Sequence, residues 1–151
     1  MDLLETLRTS DAPIELNKFL AAIPYAQFLG MKVERKGLEI TTILPYQDHL
    51  IGNPLLPALH GGTISAFLEM TAIIQLISIS EVITLPKPID INIDYLRSGR
   101  AVDTYARATV TKHGRQVSNV QAEAWQNDHA HPIARLHGHF MLDPLVNEPP
   151  R

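Results

Sequence analysis

The sequence predicts an α+β fold, a mainly antiparallel sheet wrapped around one long central helix. Three observations carry this prediction. One stretch of helical length, residues 61–79, is apolar on nearly every side, as expected of a helix enclosed by its own protein. Before it, and more strongly after it, apolar residues recur at every second position, the period of half-buried strands. The segments after the helix form a run of adjacent strands joined by polar turns, a pattern of antiparallel sheets.

The elements follow in order. Asp11 before Pro13 reads as a cap followed by an early helical proline, and Leu16, Phe19 and Leu20 fall on one helix face. Pro24 restarts or bends the chain before Tyr25, Phe28 and Leu29, and Gly30 ends that segment. From Met31 the period becomes two. Met31, Val33 and Arg35 precede Gly37, and Leu38, Ile40, Thr42 and Leu44 alternate until Pro45, which predicts two strands around a turn. Residues 46–59 carry Gly52, Asn53, Pro54 and Pro57 and read as a loop. After the helix, Ile89, Ile91, Ile93 and Tyr95 face one way and Asp90, Asn92 and Asp94 the other. Thr104–Lys112 and Val117–Trp125 form a hairpin across residues 113–116, and Ile133–Leu142 supplies a last strand.

At 151 residues the chain is expected to form one domain, residues 1–143, with a helical N-terminal segment over 1–30 and a proline-containing flexible tail over 144–151. Thirteen Lys and Arg against sixteen Asp and Glu, with the cations scattered, argue against nucleic acid as a partner. The absence of cysteine excludes a disulfide framework, a thiol nucleophile and any Cys-ligated metal. The most membrane-like run, Thr63–Leu85, is interrupted by Glu69, Gln75 and Glu81, so no membrane span is expected. Asp2 and Glu5 stand where an export signal would be basic, and a cytoplasmic location is expected.

The most informative segment is HGGTISAFLE, His60 to Glu69. Gly61 and Gly62 sit where the central helix begins. Their backbone N–H groups can approach a ligand closely at a helix end that favours negative charge, which suits an oxyanion developing on a carbonyl. Equally, two glycines there can serve close packing of helix on sheet. Glu69 lies on a helix with almost no polar face. A carboxylate so placed must be paired, protonated or directed into a cleft, and desolvation would raise its pKa toward the range useful to a general base. Nine positions separate His60 from Glu69, about two and a half turns, so two facing chains bring both to one substrate more readily than one chain does.

The segment resembles the hotdog-fold thioesterases, specifically the phenylacetate-pathway-type acyl-CoA thioesterases, in which His-Gly-Gly leads into a long helix carrying Asp or Glu nine positions later. The early IPYAQFLGMKVERKG, the strand PIDINIDYLRSGRA and the alternating segments up to HGHFML extend the resemblance over most of the chain. It implies a hotdog fold and hydrolysis of an acyl-CoA or similar thioester. The catalytic carboxylate falls on Glu69, as base or nucleophile, and the oxyanion donor on the Gly61 N–H. His60 would position the loop, and Asn53 would orient water or carboxylate. The family's Ser or Thr at the start of the post-helix strand is here Pro88. The resemblance also implies self-association into dimers or tetramers with the site at the interface. Arg97, Arg100, Lys112 and Arg115 are candidates for the nucleotide end of coenzyme A, and Gly62, Phe67, Met70 and Ile74 for the rest of the substrate. No cofactor is implied, since coenzyme A is part of the substrate.

Other readings fit less well. His129 with His131, and His137 with His139, have zinc-like spacing, but the first pair lies in a turn and the second lacks an acidic ligand pattern, so no metal is expected. A lipase-like hydrolase would need G-x-S-x-G, which is absent. A hotdog dehydratase or hydratase, or a non-catalytic acyl-CoA sensor, remains as an alternative.

Overall fold

The computed structural model describes residues 15–80 and 85–142. The expected cap at Asp11 and Pro13 and the expected tail over 144–151 lie outside the described residues. The N-terminal helical segment divides at Ile23 into α1 (Leu16–Ala21) and α2 (Pro24–Leu29), with Pro24 at the first position of the second helix. Gly30 closes α2 at φ 70°, a left-handed cap that favours glycine. Strands β1 (Lys32–Lys36) and β2 (Glu39–Leu44) then turn back on each other through Gly37 at φ 63°.

Residues 46–59 are more ordered than a loop. A single 3-10 turn at Asp48–Leu50 leads into a two-stranded hairpin, β3 (Ile51–Asn53) with β4 (Ala58–Leu59). Then come α3 (Gly61–Ile79), β5 (Lys87–Tyr95), β6 (Thr104–His113), β7 (Val117–Trp125) and β8 (Ala134–Met141). The main sheet has the order β1-β2-β6-β7-β8-β5 and every neighbouring pair is antiparallel.

Helix α3 lies on the inner face of this sheet, as the apolar run predicts. It is long and apolar enough to cross a membrane by length and composition, yet Ile64, Phe67, Leu68, Ile74 and Leu76 are buried in the core. Small side chains make room for it. Ala106, Ala124 and Ala134 stand in register across β6, β7 and β8, and all three are fully buried. Larger inward residues, Val120, Leu136 and Phe140, fill the space around them. Buried apolar side chains of this kind each stabilise the fold by roughly 1.5–3 kcal/mol.

Two departures from a regular sheet matter below. Strand β2 pairs with β6 only over Thr42–Leu44, beyond which the two strands diverge. The gap is a cavity of about 470 Å³ bordered by Leu38, Ile40, Gln75, Ile79, Ala108 and Val110. Arg107 crosses it on the outer face, with Nη2 2.8 Å from Glu39 Oε1 and Nε donating to Thr41 Oγ1 at 2.9 Å. At the other edge, β5 pairs only with β8, through a bulge between Pro88 and Asp90. The isoleucine face of β5 is only partly covered, and Ile89 remains 52% exposed.

Candidate active site

The site is built around the start of α3, which two backbone hydrogen bonds fix in place. Leu59 N donates to Gly99 O at 2.8 Å and His60 N to Leu50 O at 2.9 Å. The second contact brings β3 so close that a Cβ on Gly52 would sit 2.6 Å from His60 Cα, so glycine is required there. His60 is the N-cap. Its backbone is extended (ψ 131°) and its Nδ1 accepts from Gly62 N at 2.9 Å, a role more often taken by Ser, Thr, Asp or Asn. With Nδ1 accepting, a neutral ring carries its proton on Nε2.

The two glycines are thereby distinguished. The Gly62 N–H is spent on His60, whereas the Gly61 N–H has no hydrogen-bond acceptor among the described residues. A free first-turn N–H at the positive end of a 19-residue helix suits a developing oxyanion.

Two i,i+4 steps along the same ridge of α3 lead from Gly61 through Ser65 to Glu69. Glu69 is half-buried and has no hydrogen bond or ion pair among the described residues. Desolvation pushes its carboxyl above the ordinary glutamate value. Eight residues at 1.5 Å each put Glu69 about 12 Å from Gly61 along the helix axis. One thioester spans only a few ångströms, so a Gly61 and a Glu69 serving the same carbonyl must come from different copies of the chain.

The remaining sequence candidates fall in several places. Phe67 lies on the opposite side of α3 from Glu69 and is fully buried in the core, so its surface is spent on packing within the chain. Met70 is nearly as buried, and Ile74 wholly so. Asn53 sits on the hairpin that delivers His60, but its Oδ1 accepts from Leu55 N at 3.0 Å and holds its own turn. Pro88 is on the exposed edge strand, opposite Phe140.

The four candidate cations divide between two ends of the sheet. Arg97 and Arg100 are at the helix-start end, where Arg97 Nη1 donates to Pro132 O at 2.6 Å and Arg100 bridges Ala58. Lys112, near the end of β6, and Arg115, within the β6–β7 turn, are at the opposite end. One chain does not gather all four. Among the histidines, His139 Nδ1 is 2.7 Å from Asp90 Oδ1 and His131 Nδ1 is 2.6 Å from Asp128 Oδ2. Among the described residues no three His, Asp or Glu form a metal-holding cluster.

Sequence reasoning missed two residues. Tyr95 Oη is 2.9 Å from Gly61 O and 2.5 Å from Ser65 Oγ, and Ser65 Oγ is itself 3.1 Å from Gly61 O. A tyrosine ending an edge strand was the available signal, but nothing in the spacing ties it to a helix thirty positions earlier.

Comparison with known proteins agrees with this architecture. The thioesterase superfamily model matches residues 56–133, just over half of the chain, and the protein belongs to that superfamily, with a hotdog fold. The chain is similar to a crystal structure from Chromobacterium violaceum at 35% identity and TM-score 0.69, covering 85% of this chain and 90% of that one. A phenylacetic acid degradation-related protein of Ralstonia eutropha aligns at 22% identity and TM-score 0.71, over 93% and 98% of the two chains. A Bacillus halodurans protein solved with CoA shares the fold at 17% identity and TM-score 0.69, over 96% and 93%. No curated protein sequence matches the chain.

Proposed function

We propose that the protein hydrolyses acyl-CoA thioesters at a site shared by two copies of the chain. The observation that carries this is the pairing on one helix ridge of a Gly61 N–H and a desolvated Glu69 carboxyl that both lack a partner among the described residues. The Gly61 N–H of one copy polarises the thioester carbonyl. Glu69 of the other copy takes a proton from water, the hydroxide attacks the carbonyl carbon, and collapse of the oxyanion breaks the C–S bond as Glu69 returns its proton to the departing sulfur. The products are the free acid and coenzyme A. A direct attack by Glu69, through an anhydride that water then opens, uses the same atoms.

Membership in the thioesterase superfamily supports the reaction class, and the fold shared with a protein solved with CoA supports the carrier. The exposed β5 edge, with Ile89 and Tyr95 uncovered, supports pairing of two copies across that strand into a dimer, or a tetramer built from dimers. Arg97 and Arg100 of one copy, or Lys112 and Arg115 of the other, then face the nucleotide phosphates. The cytoplasm, where CoA thioesters occur, is the corresponding location.

The test is thiol release from short, medium, long and aromatic acyl-CoAs, with wild type beside Glu69→Ala. Loss of a general base costs about two or more orders of magnitude in rate. Turnover of some panel member by wild type, lost in the variant with the fold intact, is the expected result. Binding of acyl-CoA without thiol release from either would make the protein a binder instead.

A further inference from the structure

We propose that Tyr95, backed by Ser65, is the positioning residue that holds the Gly61–Gly62 turn in its oxyanion-binding geometry. The inference rests on the hydrolytic reading above and adds residues to it.

Two successive glycines are the least restrained pair of residues with which a helix can begin. A donor that stabilises a transition state must already be in place when charge develops, so the freedom of this turn has to be removed from outside. Each polar group of the two glycines has a definite state. The Gly62 N–H is held by His60 Nδ1. The Gly61 carbonyl, which faces the Ser65 N–H in the helix ladder, is also reached by Tyr95 Oη at 2.9 Å and Ser65 Oγ at 3.1 Å. The Gly62 carbonyl enters the helix ladder toward Ala66. Among the described residues the Gly61 N–H alone is left over, so restraint on the other three groups fixes where that N–H points.

The hydroxyls form a closed set. Tyr95 Oη and Ser65 Oγ are 2.5 Å apart, and with one proton each they satisfy one another and the Gly61 carbonyl in either direction of donation. The Tyr95 ring also covers Gly61. A Cβ there would lie 3.3 Å from its Cε1, Cζ and Oη, tighter than ordinary contact. Tyr95 is the last residue of β5, so this clamp ties the donor turn to the same edge strand at which a second copy would supply Glu69.

The experiment compares wild type, Tyr95→Phe, Ser65→Ala and Glu69→Gln on the acyl-CoA panel, resolving kcat from KM and recording each melting temperature. Tyr95→Phe keeps the ring and removes one hydroxyl. It should lower kcat about tenfold, with KM within about twofold of wild type and the melting temperature unchanged, since only the transition state uses the donor fully. Ser65→Ala should act in the same direction, and Ser65→Thr, which keeps the hydroxyl, should restore the rate. An unchanged kcat in Tyr95→Phe, or a fall in kcat accompanied by equal loss of folded protein, overturns the proposal. Failure of the hydrolytic reading looks different: wild type and every variant release no thiol, and the positioning role falls with it.

Discussion

Thr42 of β2 and Thr71 of α3 meet hydroxyl to hydroxyl, 2.6 Å apart, inside a core where neither is appreciably exposed. Each also reaches a main-chain oxygen, Thr71 that of Phe67 at 2.7 Å and Thr42 that of Ala106 at 3.3 Å. The contact joins the central helix to the strand whose attachment to the sheet is shortest.

Removing one partner leaves a buried hydroxyl short of a hydrogen bond. Thr42→Val or Thr71→Val alone should cost about 1–3 kcal/mol of stability. The double variant should cost less than the sum, because it leaves neither oxygen stranded. Urea denaturation of the four proteins measures the coupling, and strictly additive losses would show that the two hydroxyls do not depend on each other.

The raised pKa of Glu69 makes activity and stability move in opposite directions with pH. As a base the carboxylate must be ionised, so kcat should climb with pH through an inflection above the ordinary glutamate range. In the folded protein ionisation is disfavoured relative to the unfolded chain. The folded state therefore binds the extra proton, and stability is lost as pH rises from about 4.3, the ordinary value, through the raised one. Glu69→Gln cannot ionise. It should melt above wild type at neutral pH and match it near pH 4, and a gap that stays constant across that range contradicts the desolvated carboxylate.

Gly52 is required by contact with the His60 cap rather than by its own backbone angles. A Cβ on it would meet His60 Cα at 2.6 Å and Cβ at 2.8 Å, and backbone cannot yield as a flexible side chain can. Gly52→Ala should destabilise the protein by about 1–3 kcal/mol and lower activity beyond the loss of folded material, by displacing the His60 cap. Thermal melts beside initial rates separate the two effects.

The edge at β5 offers a direct test of the shared site. Ile89 is largely exposed in the single chain, and a charge there opposes strand-to-strand pairing. Ile89→Lys should shift the protein to monomer in sedimentation velocity, with a near-native circular dichroism spectrum and loss of thioester hydrolysis. A monomer with full activity would place Gly61 and Glu69 within reach of one substrate in one chain, against their helix spacing.

The periodicity of the sequence located every strand of the main sheet, most clearly β2, β7 and β8, whose buried and exposed residues alternate. The short hairpin β3–β4 was illegible. Its strands of three and two residues are too brief for an alternation to register, and Pro54 and Pro57 mark the region as turn. For the site, His60, Gly61 and Glu69 were visible as a local spacing. Which helix side faces the core is not visible, since a helix apolar all round gives no orientation, and the spacing alone does not tell a pocket-lining Phe67 from the core residue it is in the structure. The Tyr95–Ser65 contact was out of reach because it depends on the place of β5 beside the helix start.

The divergence of β2 from β6 has a consequence for how the molecule opens. The β1–β2 hairpin has five cross-strand pairs of its own but joins the remaining sheet through only three. Beyond those, Arg107, Asn17 (which exchanges two hydrogen bonds with the Val33 backbone) and the Thr42–Thr71 contact tie it down. Such a unit can detach while β5 to β8 stay paired, so its amide protons should exchange with solvent through a sub-global opening, sooner than those of β7 at the sheet's centre.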